Sequence, residues 1–323
     1  MICQKKIKAV LFGCAGRSLT PSELAFFKEV NPLGLILFDR NIQNPDQVKA
    51  LTNAFRVCVG RADAPVLVDQ EGGRVTRLWP PFWTAFGWAK TLGDIYVNDP
   101  KKALKLIENQ AKTFAKELLA VGIDVDCWPC LDIATSQTHE IMAKRCFSDQ
   151  AEIVSVLAQN AVDVMLKNGL MPVVKHIPGY GHAVVDPHQN LPTVRDGLAV
   201  LDVDFQPFRS LSKPVWGMTA HMIYEALDKK QPATLSPIVL SYIREKIGFN
   251  GFLISDDISM GALKNYGSVA EVSRQSVEAG CDAVLHCNGM FSQMQEVACS
   301  VPDLSKEALD RLEQAELLRN QNG

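Results

Sequence analysis

The sequence predicts an α/β protein, a single (β/α)8 TIM barrel, and three observations carry that prediction. Short apolar runs alternate with helix-forming segments almost from end to end, as in sheets of parallel strands buried on both faces. There are about eight such runs, the strand number of a closed parallel barrel. Polar residues also recur directly after run after run: Asp39, Asp69, Asp132, Lys175 with His176, His221 and Asp256. A barrel gathers the residues that follow its strands around one mouth. A doubly wound open sheet is the alternative, but no Gly-x-Gly-x-x-Gly follows the first strand. No linker, low-complexity tract or internal repeat divides the chain, so residues 1–323 read as one catalytic domain.

The elements follow in order. Ala9–Phe12 is a strand, and Thr20-Pro21-Ser22-Glu23 opens a helix with a capping residue and a proline in its first turn. Gly34–Phe38 is the second strand. A helix runs from about Asp46 to Val57, with Val48, Leu51 and Phe55 on one face. Pro65–Val68 is the third strand and ends in Asp69-Gln70-Glu71-Gly72-Gly73-Arg74-Val75-Thr76-Arg77. Helical pattern from Pro100 to Ala120 leads to a strand at Ile123–Trp128, and another from Ala151 to Leu166 leads to Pro172–Val174. Val215–Thr219 is the next strand, followed by a helix over Ser236–Ile247 and a strand at Gly251–Ile254. Helix Val269–Ala279, strand Asp282–Leu285 and a closing helix from about Lys306 to Arg319 complete the pattern.

Composition narrows the function. A hydrophobic fraction of 47% over 323 residues supports a large core. The net charge of −3 and pI near 6.1 offer no basic face for nucleic acid or an anionic membrane. No apolar run approaches the roughly 20 residues of a membrane span. The basic and apolar start, Lys5 to Phe12, breaks at Gly13–Arg17 and is expected to be a first strand rather than a signal peptide. Nine cysteines, an odd number spread through apolar segments, suit reduced thiols in a cytoplasmic protein. Cys127-Trp-Pro-Cys130 has redox or zinc spacing, but no second pair accompanies it.

The chemistry concentrates between Met171 and Pro192. Pro178, Gly179 and Gly181 force a loop after the apolar run, and that loop holds His176, His182 and His188 with Asp186. A connector needs Gly and Pro but not clustered titratable groups, so the loop is a candidate site. Pro187 biases Asp186 toward extended geometry, which puts residues two apart on one face. Asp186 can then orient the His188 imidazole, and a histidine so held can give and take a proton near neutral pH. The competing reading is a turn cap beside a solvated histidine. Asp256 and Asp257 end a strand; one is expected to cap the following turn and the other to face the mouth, as a nucleophile toward an anomeric carbon or as a metal ligand. Arg74 and Arg77 suit a substrate carboxylate, and Asp69 suits sugar hydroxyls, unless the pair is an internal Asp–Arg bridge. Arg145 is an anonymous loop cation by pattern. The histidine spacings of six and six do not match a helical zinc pair, so no metal or cofactor is expected.

Lys175-His176-Ile177-Pro178-Gly179-Tyr180-Gly181 with Asp186-Pro187-His188 resembles the Lys-His-Phe-Pro-Gly-His-Gly…Asp-Ser-His signature of glycoside hydrolase family 3, in its bacterial β-N-acetylglucosaminidase branch (NagZ type). Asp69–Arg77, Leu37–Ile42, Ala220–Tyr224, Ser255–Met260 and Glu278–Asp282 are similar to further blocks of that branch, in the same order. Tyr180 stands for the usual His, and Pro187 for Ser; the Asp and His of the dyad are retained. The resemblance implies a barrel that cleaves β-linked N-acetylglucosamine with retention. It implies Asp256 as nucleophile, His188 as acid/base with Asp186 as its partner, and Asp69, Arg77, Arg145, Lys175 and His176 as sugar-binding residues. The implied substrate joins N-acetylglucosamine to 1,6-anhydro-N-acetylmuramic acid, with or without stem peptide, in peptidoglycan recycling. The expected form is a cytoplasmic monomer without cofactor, acting on small carbohydrates.

Overall fold

Eight parallel strands close on themselves, each paired with its neighbours in sequence and the last with the first. They are β1 (Lys8–Phe12), β2 (Pro32–Leu37), β3 (Val66–Val68), β4 (Val125–Asp126), β5 (Met171–Ile177), β6 (Trp216–Thr219), β7 (Leu253–Asp257) and β8 (Ala283–His286). This computed structural model describes residues 6–136, 138–181, 191–211 and 213–322, the side chains of 320–322 excepted. The predicted barrel is the observed one. All six residues of β2 and all seven of β5 are buried, as expected of strands covered on both faces. A small two-stranded sheet, Thr193–Val194 beside Ile223–Tyr224, sits apart from the barrel and was not foreseen.

Helices surround the sheet: α1 (Pro21–Val30), α2 (Pro45–Val59), α3 (Ala89–Asn98), α4 (Pro100–Ala120), α5 (Glu140–Arg145), α6 (Ala151–Lys167), α7 (Leu198–Arg209), α8 (Pro237–Tyr242), α9 (Val269–Ala279), α10 (Phe291–Ser300) and α11 (Lys306–Asn322). Where a cap was legible, the start is where it was expected. Thr20 accepts from the Glu23 amide while Glu23 reaches back to the Thr20 amide, and Ser268 with Glu271 repeats this box. Asn44, Asp99 and Ser236 each accept an amide of the first turn ahead of a proline. The helix expected over Ser236–Ile247 changes hand-off at Ile243, where a π-turn runs to Ile247.

The core is aliphatic with aromatic joints. Phe12, Phe27 and Phe55 are buried between the sheet and the first two helices, with Phe27 and Phe55 edge-on at 5.5 Å. Each such side chain contributes about 1.5–3 kcal/mol on burial. Gly93 of α3 lies against the Phe147 carbonyl so closely that a Cβ would stand 1.6 Å from that oxygen. This approach presses α3 onto the segment that follows α5.

The N-terminal end of the barrel is tied by ion pairs. Asp124 accepts the Val66 amide at 2.8 Å and pairs with Arg56 at 3.1 Å and Arg319 at 3.3 Å. Asp282 accepts the Leu253 amide at 2.8 Å and pairs with Arg244 at 2.8 Å and Arg311 at 2.6 Å. These carboxylates pin strand starts to the helices outside them. Among the described residues, no helix is long and apolar enough to cross a membrane.

Candidate active site

The opposite end of the barrel opens into a cavity of about 460 Å³. Asp69, Arg77, Arg145, Lys175, His176 and Asp256, six residues singled out in the sequence, all line it, together with Arg74 and Asp257. Asp186 and His188, like His182, lie outside the described residues. Asp132, Asp39 and His221 were expected at the mouth and serve it from behind or beside, as described below.

Lys175 and His176 both reach the cavity although they are adjacent, where strict strand alternation would send one away. The pairing of β5 with β6 shifts register between Lys175 and Ile177, so two residues of β5 oppose one step of β6. The peptide that joins them is cis. Lys175 Nζ lies 2.8 Å from Asp69 Oδ1 and 2.7 Å from Glu71 Oε1. Glu71 also takes Arg145 in a two-point grip, Nη2 to Oε1 at 2.7 Å and Nε to Oε2 at 2.9 Å. Asp69 completes the chain by meeting Arg77 at 3.5 Å, and Arg77 reaches Asp39 at 3.7 Å. The Asp–Arg bridge weighed from sequence therefore exists for Arg77, which nonetheless faces the cavity.

Burial alone would raise the Asp69 carboxyl, but Lys175 and Arg77 hold it well below the usual carboxylate range. Glu71 follows the same logic: burial raises it, and Arg145 and Lys175 bring it down to about 2. Burial acts against the Lys175 charge, and Asp69 and Glu71 more than restore it, so the amine stays charged. The result is an alternating, fully ionised chain along one wall.

His176 is held from behind. Its Nδ1 lies 2.7 Å from Asp132 Oδ2, while Asp132 Oδ1 accepts the His176 amide at 3.2 Å and the Tyr180 amide at 2.7 Å. Burial pulls the imidazole down and Asp132 lifts it to about 9, so it is a cation at neutral pH, with Nε2 toward Arg145 at 3.5 Å. The Tyr180 ring packs on the imidazole with centroids 5.6 Å apart. Cys130 donates to Asp132 Oδ2 at 3.1 Å. The donor atoms of Cys130, Asp132 and His176 lie within 4.8 Å of one another and are the group among the described residues that could hold a metal. In this structure they satisfy each other's hydrogen bonds.

The two adjacent aspartates divide. Asp257 Oδ1 accepts the Ser259 amide at 3.0 Å and the Cys287 amide at 3.1 Å, so it caps the turn. His221, buried below, accepts or donates at Nδ1 with Thr234 and donates from Nε2 to the Asp257 carbonyl at 3.0 Å, which fixes this strand end. Among the described residues, Asp256 accepts only the next amide, at 2.7 Å, and it lines the cavity. Cys127 and Cys287 lie near these carboxylates, and burial pushes both thiols well up, away from nucleophilic or redox chemistry. Cys127 and Cys130 are free thiols.

Sequence reasoning passed over Glu71, the hub of the wall. It stood inside a stretch already marked, but nothing in that stretch distinguishes a buried link from a solvated acid. Such an arrangement of ionised donors and acceptors around one free carboxylate can hold a polyhydroxylated ring and attack it.

The family model for the glycosyl hydrolase family 3 N-terminal domain matches residues 22–316. A β-hexosaminidase of Alkalilimnicola ehrlichii is 36% identical over 86% of this chain and 80% of its own length. The crystal structure of NagZ from Neisseria gonorrhoeae in complex with N-trifluoroacetyl-D-glucosamine superposes with a TM-score of 0.86 at 31% identity, covering 98% of this chain and 94% of that one. A family 3 β-N-acetylglucosaminidase from a Paenibacillus species gives 0.83 at 29% identity; the match covers 97% of this chain and 61% of that protein.

Proposed function

We propose that this chain, which belongs to glycoside hydrolase family 3, is a retaining exo-β-N-acetylglucosaminidase. Its substrate is N-acetylglucosamine β-linked to 1,6-anhydro-N-acetylmuramic acid, with or without stem peptide, in cytoplasmic peptidoglycan recycling by a monomeric, single-domain enzyme. The observation that carries this reading is the free carboxylate of Asp256 facing the ionised wall of Asp69, Lys175, Arg145 and His176 across one cavity. A relative with the same barrel was crystallised with an N-acylated glucosamine, which supports the choice of sugar.

In this mechanism Asp69 accepts ring hydroxyls, while Arg77, Arg145, Lys175 and His176 supply donors. An Asp256 oxygen attacks the anomeric carbon as His188, oriented by Asp186, passes a proton to the departing oxygen. The bond to the leaving sugar breaks and an ester to Asp256 forms. Water then attacks the same carbon and gives its proton to His188. The ester breaks, and the β configuration is restored.

The test is hydrolysis of 4-nitrophenyl N-acetyl-β-D-glucosaminide and of the anhydro-disaccharide, with EDTA and phosphate varied, beside Asp256→Ala and His188→Ala. A fluorosugar should label Asp256, and each substitution should lower kcat by roughly 10³-fold. Full activity in the Asp256 variant, or release that requires phosphate or metal, overturns the mechanism.

A further inference from the structure

Four arginine and lysine side chains line the cavity, and three of them are paired: Lys175 with Asp69 and Glu71, Arg145 with Glu71, Arg77 with Asp69 and Asp39. Arg74 is exposed and has no ion-pair or hydrogen-bond partner among the described residues. Its backbone is not loose. Val75 closes the turn by accepting the amides of Glu71 at 2.8 Å and Gly72 at 3.2 Å, and the Gly73 amide donates to Phe86 at 2.9 Å. Gly73 has φ +59, and its α-carbon lies so close to the Trp88 ring that a Cβ would stand 2.4 Å from it. A cation whose backbone is held at the rim of a cavity, where the other arginine and lysine side chains are paired, is available to an anion. A guanidinium fork matches the paired oxygens of a carboxylate or a phosphate, and of these the substrate proposed above carries carboxylates.

We propose that Arg74 forms an anion subsite that takes a carboxylate of the leaving group. This rests on the glycosidase reading above and adds to it the part of the substrate beyond the cleaved bond. Two carboxylates qualify, the lactyl acid of the muramic ring and those of a stem peptide.

The test compares kcat/KM of wild type, Arg74→Gln, Arg74→Lys and Arg74→Glu on three substrates. These are the anhydro-disaccharide, its lactyl methylamide, and the disaccharide carrying a stem peptide. Wild type should favour the free acid over the methylamide by about fivefold, the scale of one exposed charge pair. Arg74→Gln should bring that ratio to about one, Arg74→Glu below it, and Arg74→Lys between, with the change mainly in KM. High salt should compress the wild-type ratio. Dependence on Arg74 confined to the peptide-bearing substrate supports the subsite with the peptide as its source. Equal ratios in wild type and Arg74→Gln on every substrate overturn the inference while the glycosidase reading stands. If wild type cleaves none of the three, nor the nitrophenyl glycoside, the reading itself falls.

Discussion

Both ends of the barrel bury carboxylates against arginines, yet only one end makes a site. At the N-terminal end each acid is saturated: Asp124 and Asp282 each hold two arginines and the first amide of a strand. A cleft of about 390 Å³ lies beside Asp282, but both of its arginines are already committed to that acid. At the C-terminal end the pairs are shared in a line, and two groups of opposite sign, Asp256 and Arg74, are left without a charged partner among the described residues. Buried charge alone therefore does not mark function. The mark is an unspent group standing beside a fully committed network.

The comparison breaks most visibly at Glu71. Its removal frees Arg145 from both contacts and takes one of two partners from Lys175. Glu71→Ala should cost about 3–5 kcal/mol of stability, as losing one side of a buried pair does. It should also lower kcat/KM by roughly 10²-fold, since misplaced binding groups cost that much. Denaturant melts and steady-state kinetics measure the two; unchanged kinetics would mean that the wall does not position substrate.

At the other end the effects should separate. Asp282→Asn loses the charge held by Arg244 and Arg311, and should destabilise by about 3 kcal/mol. Its kcat/KM, measured well below the melting temperature, should match wild type. A large kinetic loss there would contradict the division between the two ends.

The smallest effect is in pH. The His176 pKa is raised to about 9 from 6.5, so its contribution to stability is whole below about 6.5 and is lost as pH rises through about 9. Glu71, lowered to about 2 from 4.5, contributes fully above about 4.5 and loses that contribution as pH falls toward 2. Melting temperature should therefore decline between pH 6.5 and 9 in wild type by a component absent from His176→Gln. Identical profiles would show that Asp132 does not hold the imidazole charged.

Much of this was legible beforehand, for physical reasons. Strands buried on both faces are short apolar runs, and helices that start on a capping side chain announce themselves: α4 and α9 have the expected ends. The helices that sequence did not reveal, α3, α5, α7 and α10, are preceded by Trp88, His139, Gly197 and Met290, none of which offers a side-chain cap. Helix α7 also carries Pro207 in its interior. In the site, residues at strand ends were readable because the barrel dictates where strand ends go. Glu71 and the Asp132–His176 pair were not, because their partners are brought from 104, 74 and 44 residues away by closure of the barrel.

The isolation of Asp256 has a consequence for how such a protein can change over time. It rides on β7, while the wall proposed to hold the sugar is built from the segment after β3, from β5 and from the end of α5, and no hydrogen bond or ion pair joins the two sets among the described residues. Recognition and reactivity are thus separable inheritances. A lineage could silence the strand end and retain a lectin, or retune the wall for another sugar and keep the same chemistry.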